Sequence, residues 1–150
     1  LGAGELLDAV SDQARAKGTG KWTSQDAMDL GVPVPAIDAA VTARELSALR
    51  SERLQLAALY PGAPDLRADR AAALAGLEQA CFAAALIAYA QGFAQIAAAS
   101  REYGFGTSLA TVAHVWRAGC IIRAAILEPI HAAFAASPTL PSVRATVEGQ

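Results

Sequence analysis

Residues 69–103 read DRAAALAGLEQACFAAALIAYAQGFAQIAAASREY, the longest uninterrupted helical pattern of the chain. No proline occurs in it, and its commonest residue is alanine, which has the highest helix propensity. Asp69 is a favourable N-cap, and Gly104 follows where a glycine is expected after a helix. The pattern predicts one helix roughly 50 Å long, which exceeds the diameter of a domain of this size. Other helices or a second subunit must therefore pack along it.

The same stretch raises the question of a membrane. No charged residue occurs from Gln79 to Ser100, a length that could span a bilayer. Large apolar side chains are few, however, and three glutamines interrupt the run. The pattern favours a buried helix of a water-soluble domain with no membrane partner, in which the alanines and Gly92 allow other helices to approach closely. A membrane-embedded helix is the alternative.

The composition is typical of one soluble domain. The chain has 150 residues, of which 54% are hydrophobic, and a net charge of −2, which gives no indication of a nucleic-acid partner. The first ten residues lack the basic and apolar regions of a signal peptide. Cys81 and Cys120 lie in apolar helical segments and are predicted to be reduced core thiols of an intracellular protein. Their spacing gives no support for a disulfide.

The rest of the chain also shows helical patterns. No alternating apolar and polar run indicates a strand, so the predicted fold class is all-α, built around one long central helix. The further helices are predicted at about 5–16, from 23 or 24 to 30, and at about 36–47, 49–60, 108–123 and 124–136.

A glycine-rich segment, KGTGKWT at residues 17–23, is the strongest candidate for ligand binding. It contains the only two lysines of the chain, Lys17 and Lys21, together with the Thr19 hydroxyl and backbone amides freed by two glycines. These groups suit an anion. Trp22 stands where a Walker A loop requires Ser or Thr, and the third glycine of a dinucleotide fingerprint is missing. The alternative is a polar loop capped by Thr23 before the next helix.

Other polar residues indicate structural roles. His114 and His131 lie in apolar or amphipathic segments, and no Cys, His, Asp or Glu cluster has the spacing of a metal site. No serine stands in a nucleophile elbow. Taken by itself, Arg44 is a solvated residue or a partner of Asp38 or Glu45, and the arginines at positions 50 and 53 are surface charges.

Five segments in order resemble one family. They are Lys17–Thr23, Gly31–Pro33, Ala40–Ser47, Tyr89–Phe93 and Trp116–Arg123, with KGTGKWT, YAQGF and WRAGCIIR the most specific. The chain is similar, from about residue 6 to 136, to the C-terminal, all-helical domain of decarboxylating 6-phosphogluconate dehydrogenase. The resemblance implies a cytoplasmic enzyme, usually a homodimer. It oxidises 6-phosphogluconate with NADP or NAD, then decarboxylates the intermediate to ribulose 5-phosphate without a metal.

The resemblance also assigns residues. Lys17, Thr19 and Arg44 match the positions that hold the substrate phosphate in the family. Residues 1–150 then form the C-terminal substrate-binding and dimerisation domain. The Rossmann domain, the catalytic lysine and glutamate, and a tail that reaches the partner's site are expected to lie outside this chain. We therefore expect no catalytic residue here and no turnover by these residues alone.

Several positions depart from the family pattern. Thr42, Ala85 and Ala118 replace an aromatic, a lysine and a glycine, respectively, while the three phosphate positions are retained. The alternative function is a non-catalytic helical module for association or scaffolding, which would need none of those three residues. The residues that distinguish NADP from NAD are expected outside the chain.

Overall fold

The computed structural model describes residues 6–60, 62, 69–140 and 142, and these residues contain helices and no strand. The predicted all-α fold class is confirmed. A short 3-10 helix, Leu6–Ala9, precedes six α-helices, which are α1 (Thr19–Asp29), α2 (Pro35–Ala48), α3 (Arg50–Leu59), α4 (Arg70–Glu102), α5 (Leu109–Trp116) and α6 (Leu127–Ala136).

The ends of α4 lie within one residue of their predicted positions because both depend on local contacts. The Asp69 side chain accepts a hydrogen bond from the Ala71 amide at 3.0 Å, which caps the first turn. At the other end Gly104 has a φ of 68°, a left-handed conformation that glycine adopts without steric cost. Between these residues α4 continues for 33 residues without a break.

The hydrophobic core forms where the C-terminal half of α4 meets α5 and α6. Phe93 is 2% exposed, and its ring centroid lies 5.0 Å from those of both Trp116 and Phe134. Fully buried Leu127 and Ile130 from α6 pack into the same cluster. Tilted aromatic pairs at this separation contribute about 0.5–1.5 kcal/mol each beyond area burial. The core therefore holds α4, α5 and α6 together.

The N-terminal half of α4 is exposed, so of the two expected coverings, other helices or a second subunit, the described helices do not provide the first, and the second stays a prediction. Leu74, Leu77 and Phe82 are each more than half exposed, and Cys81 is exposed rather than a core thiol. Within the described residues, α4 is the one helix long and apolar enough to cross a membrane, and none of its most apolar window is buried. An added Cβ at Gly92 would meet nothing within 4 Å, so no close helix approach occurs there in the described structure.

Two glutamines of α4, one turn apart, fix the positions of α1 and α2. The Gln91 side-chain oxygen accepts hydrogen bonds from the Ala36 and Ile37 amides, at 3.0 and 3.3 Å, at the start of α2. Val34 precedes that helix and has no side-chain oxygen to cap it. Gln95 is 7% exposed and donates to Asp26 Oδ2 at 2.7 Å and to the Thr23 carbonyl at 3.0 Å in α1. The polar residues that interrupt the apolar run therefore join three helices.

The helices predicted at about 5–16 and 108–123 are wrong in extent. Residues 10–18 are irregular, whereas a helix was predicted for 5–16; Glu5 itself lies outside the described residues. Helix α5 ends at Trp116 rather than near 123, because turns follow and Gly119 has a φ of 73°. Helix α6 consequently begins at Leu127. The Cys120 thiol donates to the Trp116 carbonyl at 3.1 Å, and both cysteines are free.

Candidate anion-binding site

The glycine-rich segment forms the N-terminus of α1. Gly18, at a φ of 95°, is the N-cap residue, and the first backbone bond of the helix joins the Trp22 amide to the Gly18 carbonyl at 3.0 Å. The predicted cap at Thr23 or Ser24 is wrong: the Thr23 hydroxyl donates back to the Thr19 carbonyl at 2.9 Å, inside the helix. The Ser24 hydroxyl instead donates to Asp38 at 2.6 Å.

No side chain caps this helix within the part of the chain that the structure describes. The amides of residues 19–21 precede Trp22, the first intrahelical donor, so they have no acceptor within the helix and carry the positive end of the helix dipole. Lys17 comes immediately before this end, and Lys21 lies in the first turn; both side chains are exposed. Free amides beside two ammonium groups are suited to binding a phosphate or carboxylate.

Residues 12–15, which we call the docking segment, bind along α2 and α3. The Asp12 carboxylate pairs with Arg53 and Arg50, at 2.7 and 3.0 Å. The next three residues contact successively earlier positions of α2. The Gln13 side chain donates to the Ala48 carbonyl at 3.1 Å, and the Ser47 hydroxyl lies 3.1 Å from the Ala14 amide and 3.2 Å from the Ala14 carbonyl. Arg44 donates to the Arg15 carbonyl at 3.1 Å. The docking segment therefore runs antiparallel to α2.

The contacts to successively earlier residues of α2 continue into α1. Gly20 packs so closely on α2 that an added Cβ would lie 2.9 Å from Val41 Cγ2. Val41 is three residues before Arg44, so the two lie on one face of α2. Residues 17–19 are therefore bracketed between a contact to Arg44 on one side and a contact to Val41 on the other. Glycine at position 20 is what permits this close approach of the two helices.

Each candidate residue has a defined place. Lys17 is exposed in the irregular segment before α1, Thr19 is the exposed first residue of that helix, and Arg44 is exposed on α2. Arg44 donates to the Arg15 carbonyl. Within the described residues it forms no ion pair with Asp38 or Glu45, the partners that the sequence suggests. One of its five N–H donors is occupied by this contact, and the guanidinium remains at the surface.

The contacts of the docking segment have no signal in the sequence. The arginines at positions 50 and 53, interpreted as surface charges, both pair with Asp12, and the hydrogen bond from Arg53 contributes most to holding the pKa of this carboxyl below its ordinary value. Arg53 also donates to the carbonyls of Leu46 and Ser47 at 3.2 Å. These partners are separated by up to 41 residues, so no local spacing could indicate them.

A second polar cluster joins α5 and α6. Arg117 bonds to Glu128 and to His114, whose ring centroid lies 5.3 Å from that of His131. His131 Nδ1 lies 2.9 Å from the Ala110 carbonyl, so this nitrogen carries the hydrogen that is donated.

Burial raises the pKa of Tyr89, whose hydroxyl donates to the Ile122 carbonyl in the turn after α5. No group of three or more His, Cys, Asp or Glu side chains among the described residues could hold a metal.

Comparison with known proteins identifies the family. The profile described as "6-phosphogluconate dehydrogenase, C-terminal domain" matches residues 2–148. The chain belongs to this family. It is 42% identical over 134 residues to the decarboxylating 6-phosphogluconate dehydrogenase of Lactococcus lactis, covering 89% of this chain and 28% of that protein. It is also 42% identical over 141 residues to the NADP(+)-dependent decarboxylating 6-phosphogluconate dehydrogenase of Bacillus subtilis, covering 92% and 30%.

A solved structure agrees with this assignment. The 6-phosphogluconate dehydrogenase of Plasmodium falciparum, described in its apo form and in complexes with NADP+ and with 6-phosphogluconate, superimposes with a TM-score of 0.75 at 31% identity. The match covers 91% of this chain and 30% of that one. The family resemblance inferred from the motifs is confirmed, and the chain spans less than a third of the length of these relatives.

Proposed function

We propose that this chain is the C-terminal domain of a decarboxylating 6-phosphogluconate dehydrogenase and that it binds the phosphate of the substrate. The enzyme converts 6-phospho-D-gluconate and NAD(P)+ to ribulose 5-phosphate, CO2 and NAD(P)H. The observation that carries the proposal is the uncapped N-terminus of α1, bracketed by contacts to Val41 and Arg44 of α2, in a member of this family. Residues 1–150 act as one substrate-binding and dimerisation domain.

Lys17, Thr19 and Arg44 bind the phosphate in complementary ways. A dianionic phosphate is favoured by the point charge of a lysine, by hydroxyl and amide donors, and by the planar fork of an arginine. The Thr19 hydroxyl and the amides at the start of α1 supply the uncharged donors. Arg44 donates to the Arg15 carbonyl and so approaches the same end of α1. Because the phosphate does not react, its binding energy can hold the distant sugar carbons in position for oxidation.

The cofactor is assigned to a domain outside this chain. The names of the relatives support NADP, with NAD as the other choice. Residues 17–23 lack the glycine spacing of a dinucleotide fingerprint, so we assign no residue of this chain to the cofactor. When bound, the nicotinamide accepts the hydride from the substrate. A coding sequence upstream of Leu1 that contained a GxGxxG βαβ unit would support this division of roles.

The exposed half of α4 is proposed to pack against a second copy of the chain. Leu74, Leu77 and Phe82 give α4 an exposed face that is mostly apolar, with Glu78 among them, on a helix whose other half is buried in the core. Such a face favours a two-fold dimer of a soluble, cytoplasmic protein over contact with lipid. Sedimentation in detergent-free buffer at tens of micromolar tests this, and a monodisperse monomer or a requirement for detergent would contradict it.

Calorimetric titration with 6-phosphogluconate tests the phosphate site. We expect millimolar affinity, because an open site is screened by salt, and far weaker binding of gluconate. Lys17→Ala and Arg44→Ala should each weaken binding without loss of helix content. Arg101→Ala, which removes the same charge in the last turn of α4, is the matched control and should bind as the wild type does. Dimerisation without any preference for the phosphorylated sugar would favour the alternative, a scaffold module.

A further inference from the structure

The docking segment holds the residues before α1 in a fixed place, although it contains none of the proposed phosphate-binding residues. Three side chains of α2 and α3, distant in sequence, hold the segment. Arg53 binds Asp12, Ser47 binds Ala14 and Arg44 binds Arg15. Lys17 follows Arg15 by two residues. Movement of residues 12–15 away from α2 would therefore displace Lys17, while the first turn of α1 keeps its own contact to Val41.

Arg53 is the centre of these contacts. Its Nη1 donates to Asp12 Oδ2 at 2.7 Å, and its Nη2 lies 3.4 Å from the Asp12 carbonyl. The same guanidinium donates through Nε to the Leu46 carbonyl and through Nη2 to the Ser47 carbonyl, both at 3.2 Å. One side chain from α3 therefore satisfies the C-terminal carbonyls of α2 and holds the docking segment against them. A lysine could not make this set of contacts, because it lacks the planar fork.

We propose that Asp12 and Arg53 are positioning residues for the phosphate site, which hold the docking segment so that Lys17, the α1 amides and Arg44 face one anion. The proposal rests on the proposed function, since it describes what keeps that site assembled. Neither residue contacts the phosphate. Their effect is transmitted through the Ser47 contact to Ala14 and the Arg44 contact to Arg15, which lie between the Asp12 pair and Lys17 along the chain.

The direction in which one substitution changes the phosphate affinity distinguishes a positioning role from a purely electrostatic effect. Asp12→Asn removes a negative charge from the neighbourhood of an anion site, so the electric field alone would make phosphate bind more tightly. We call the ion pair of Asp12 with Arg53 the clamp. Its loss has the opposite effect, because it lets the docking segment move. A misplacement of about 1 Å can cost an enzyme about 100-fold in rate, and for binding at this screened surface site we expect a smaller effect, roughly three- to tenfold weaker affinity.

The experiment compares the whole chain and three variants. The affinity for 6-phosphogluconate is measured by calorimetry and the exchange rate of the Ala14 amide by NMR, with circular dichroism as the check on folding. We expect weaker binding and faster Ala14 exchange in Asp12→Asn at unchanged helix content. Arg53→Lys keeps the net charge and should change both quantities in the same direction. Glu52→Gln removes one negative charge from the first turn of α3 and should leave exchange unchanged and affinity equal or slightly higher.

Two results overturn the inference in distinguishable ways. If the wild-type chain binds 6-phosphogluconate while Asp12→Asn and Arg53→Lys bind it equally well or better, the phosphate site stands and the positioning role is wrong. If the wild-type chain shows no preference for 6-phosphogluconate over gluconate, the phosphate site itself is wrong and the positioning role fails with it. Should Asp12→Asn lose helix content, the comparison rests on Arg53→Lys.

Discussion

Replacing Gly20 by alanine tests whether the start of α1 depends on its close approach to α2. The new Cβ would lie 2.9 Å from Val41 Cγ2, closer than real Cβ atoms come, and β-branched valine has little rotamer freedom in a helix. Overpacking of this kind costs about 1–3 kcal/mol. The helix itself gains roughly 0.5–1 kcal/mol when glycine becomes alanine. We expect a net loss of up to about 2.5 kcal/mol, a fall in Tm of up to roughly 10 °C for a chain of this length.

The matched control for this substitution is Gly92→Ala. An added Cβ at Gly92 meets nothing within 4 Å, so this variant keeps the helix gain without the clash and should be more stable by roughly 0.5–1 kcal/mol. Gly20→Ala should also weaken 6-phosphogluconate binding, because the clash displaces the start of α1, and adding Val41→Ala removes the clashing methyl groups and should restore that affinity. Thermal unfolding and calorimetry measure both effects. If Gly20→Ala raises Tm as much as Gly92→Ala does, Val41 accommodates the methyl group and the close approach is not needed.

The other predictions concern the core, the helix junction, the clamp and a built-in reporter. Phe93→Ala removes a ring that contacts two other aromatics and should cost about 3–5 kcal/mol of unfolding free energy, measured by urea denaturation. Gln95→Leu leaves Asp26 without its 2.7 Å partner and should cost about 1–3 kcal/mol, while a neutral result would mean that water replaces the amide. Because the folded-state pKa of Asp12 lies below its ordinary value of 3.8, the stability that the clamp contributes is present above that value and lost as pH falls through the lowered pKa. The protection factors of the docking-segment amides, which correct each exchange rate for the intrinsic rate at that pH, should then fall at low pH in the wild type, while Asp12→Asn shows no such step. Trp22 lies beside Gly18, so phosphate should change its fluorescence, and Trp22→Phe should abolish that change.

Elements whose ends depend on local contacts could be predicted from the sequence. Helix α4 was predicted to within a residue because Asp69 and Gly104 act on adjacent turns. The pattern of α2 gave its limits equally well, with Pro35 suited to the first helical turn. What the pattern of α4 could not indicate is that its N-terminal half is left uncovered by the other helices that the structure describes, since composition does not tell which faces other helices reach.

Elements that depend on distant partners could not be predicted. The apolar spacing of residues 5–16 indicated a helix, but in the folded chain the backbone of Ala14 and Arg15 bonds to side chains of Ser47 and Arg44 instead. The start of α1 was missed because its N-cap is Gly18, which has no side chain to act as a signal. Family motifs identified the three candidate phosphate residues, whereas the clamp at Asp12 became visible only in the structure.

The central claim is that the N-terminus of α1 binds the substrate phosphate, and amide chemical shifts test it most directly. In a 1H–15N titration of the wild-type chain, 6-phosphogluconate should move the amides of Gly18, Thr19 and Gly20 saturably in the millimolar range. Gluconate at the same concentrations should leave them in place, because it lacks the phosphate. If these three amides do not move with 6-phosphogluconate, or move equally with gluconate, then the start of α1 is a polar helix terminus and not the phosphate site.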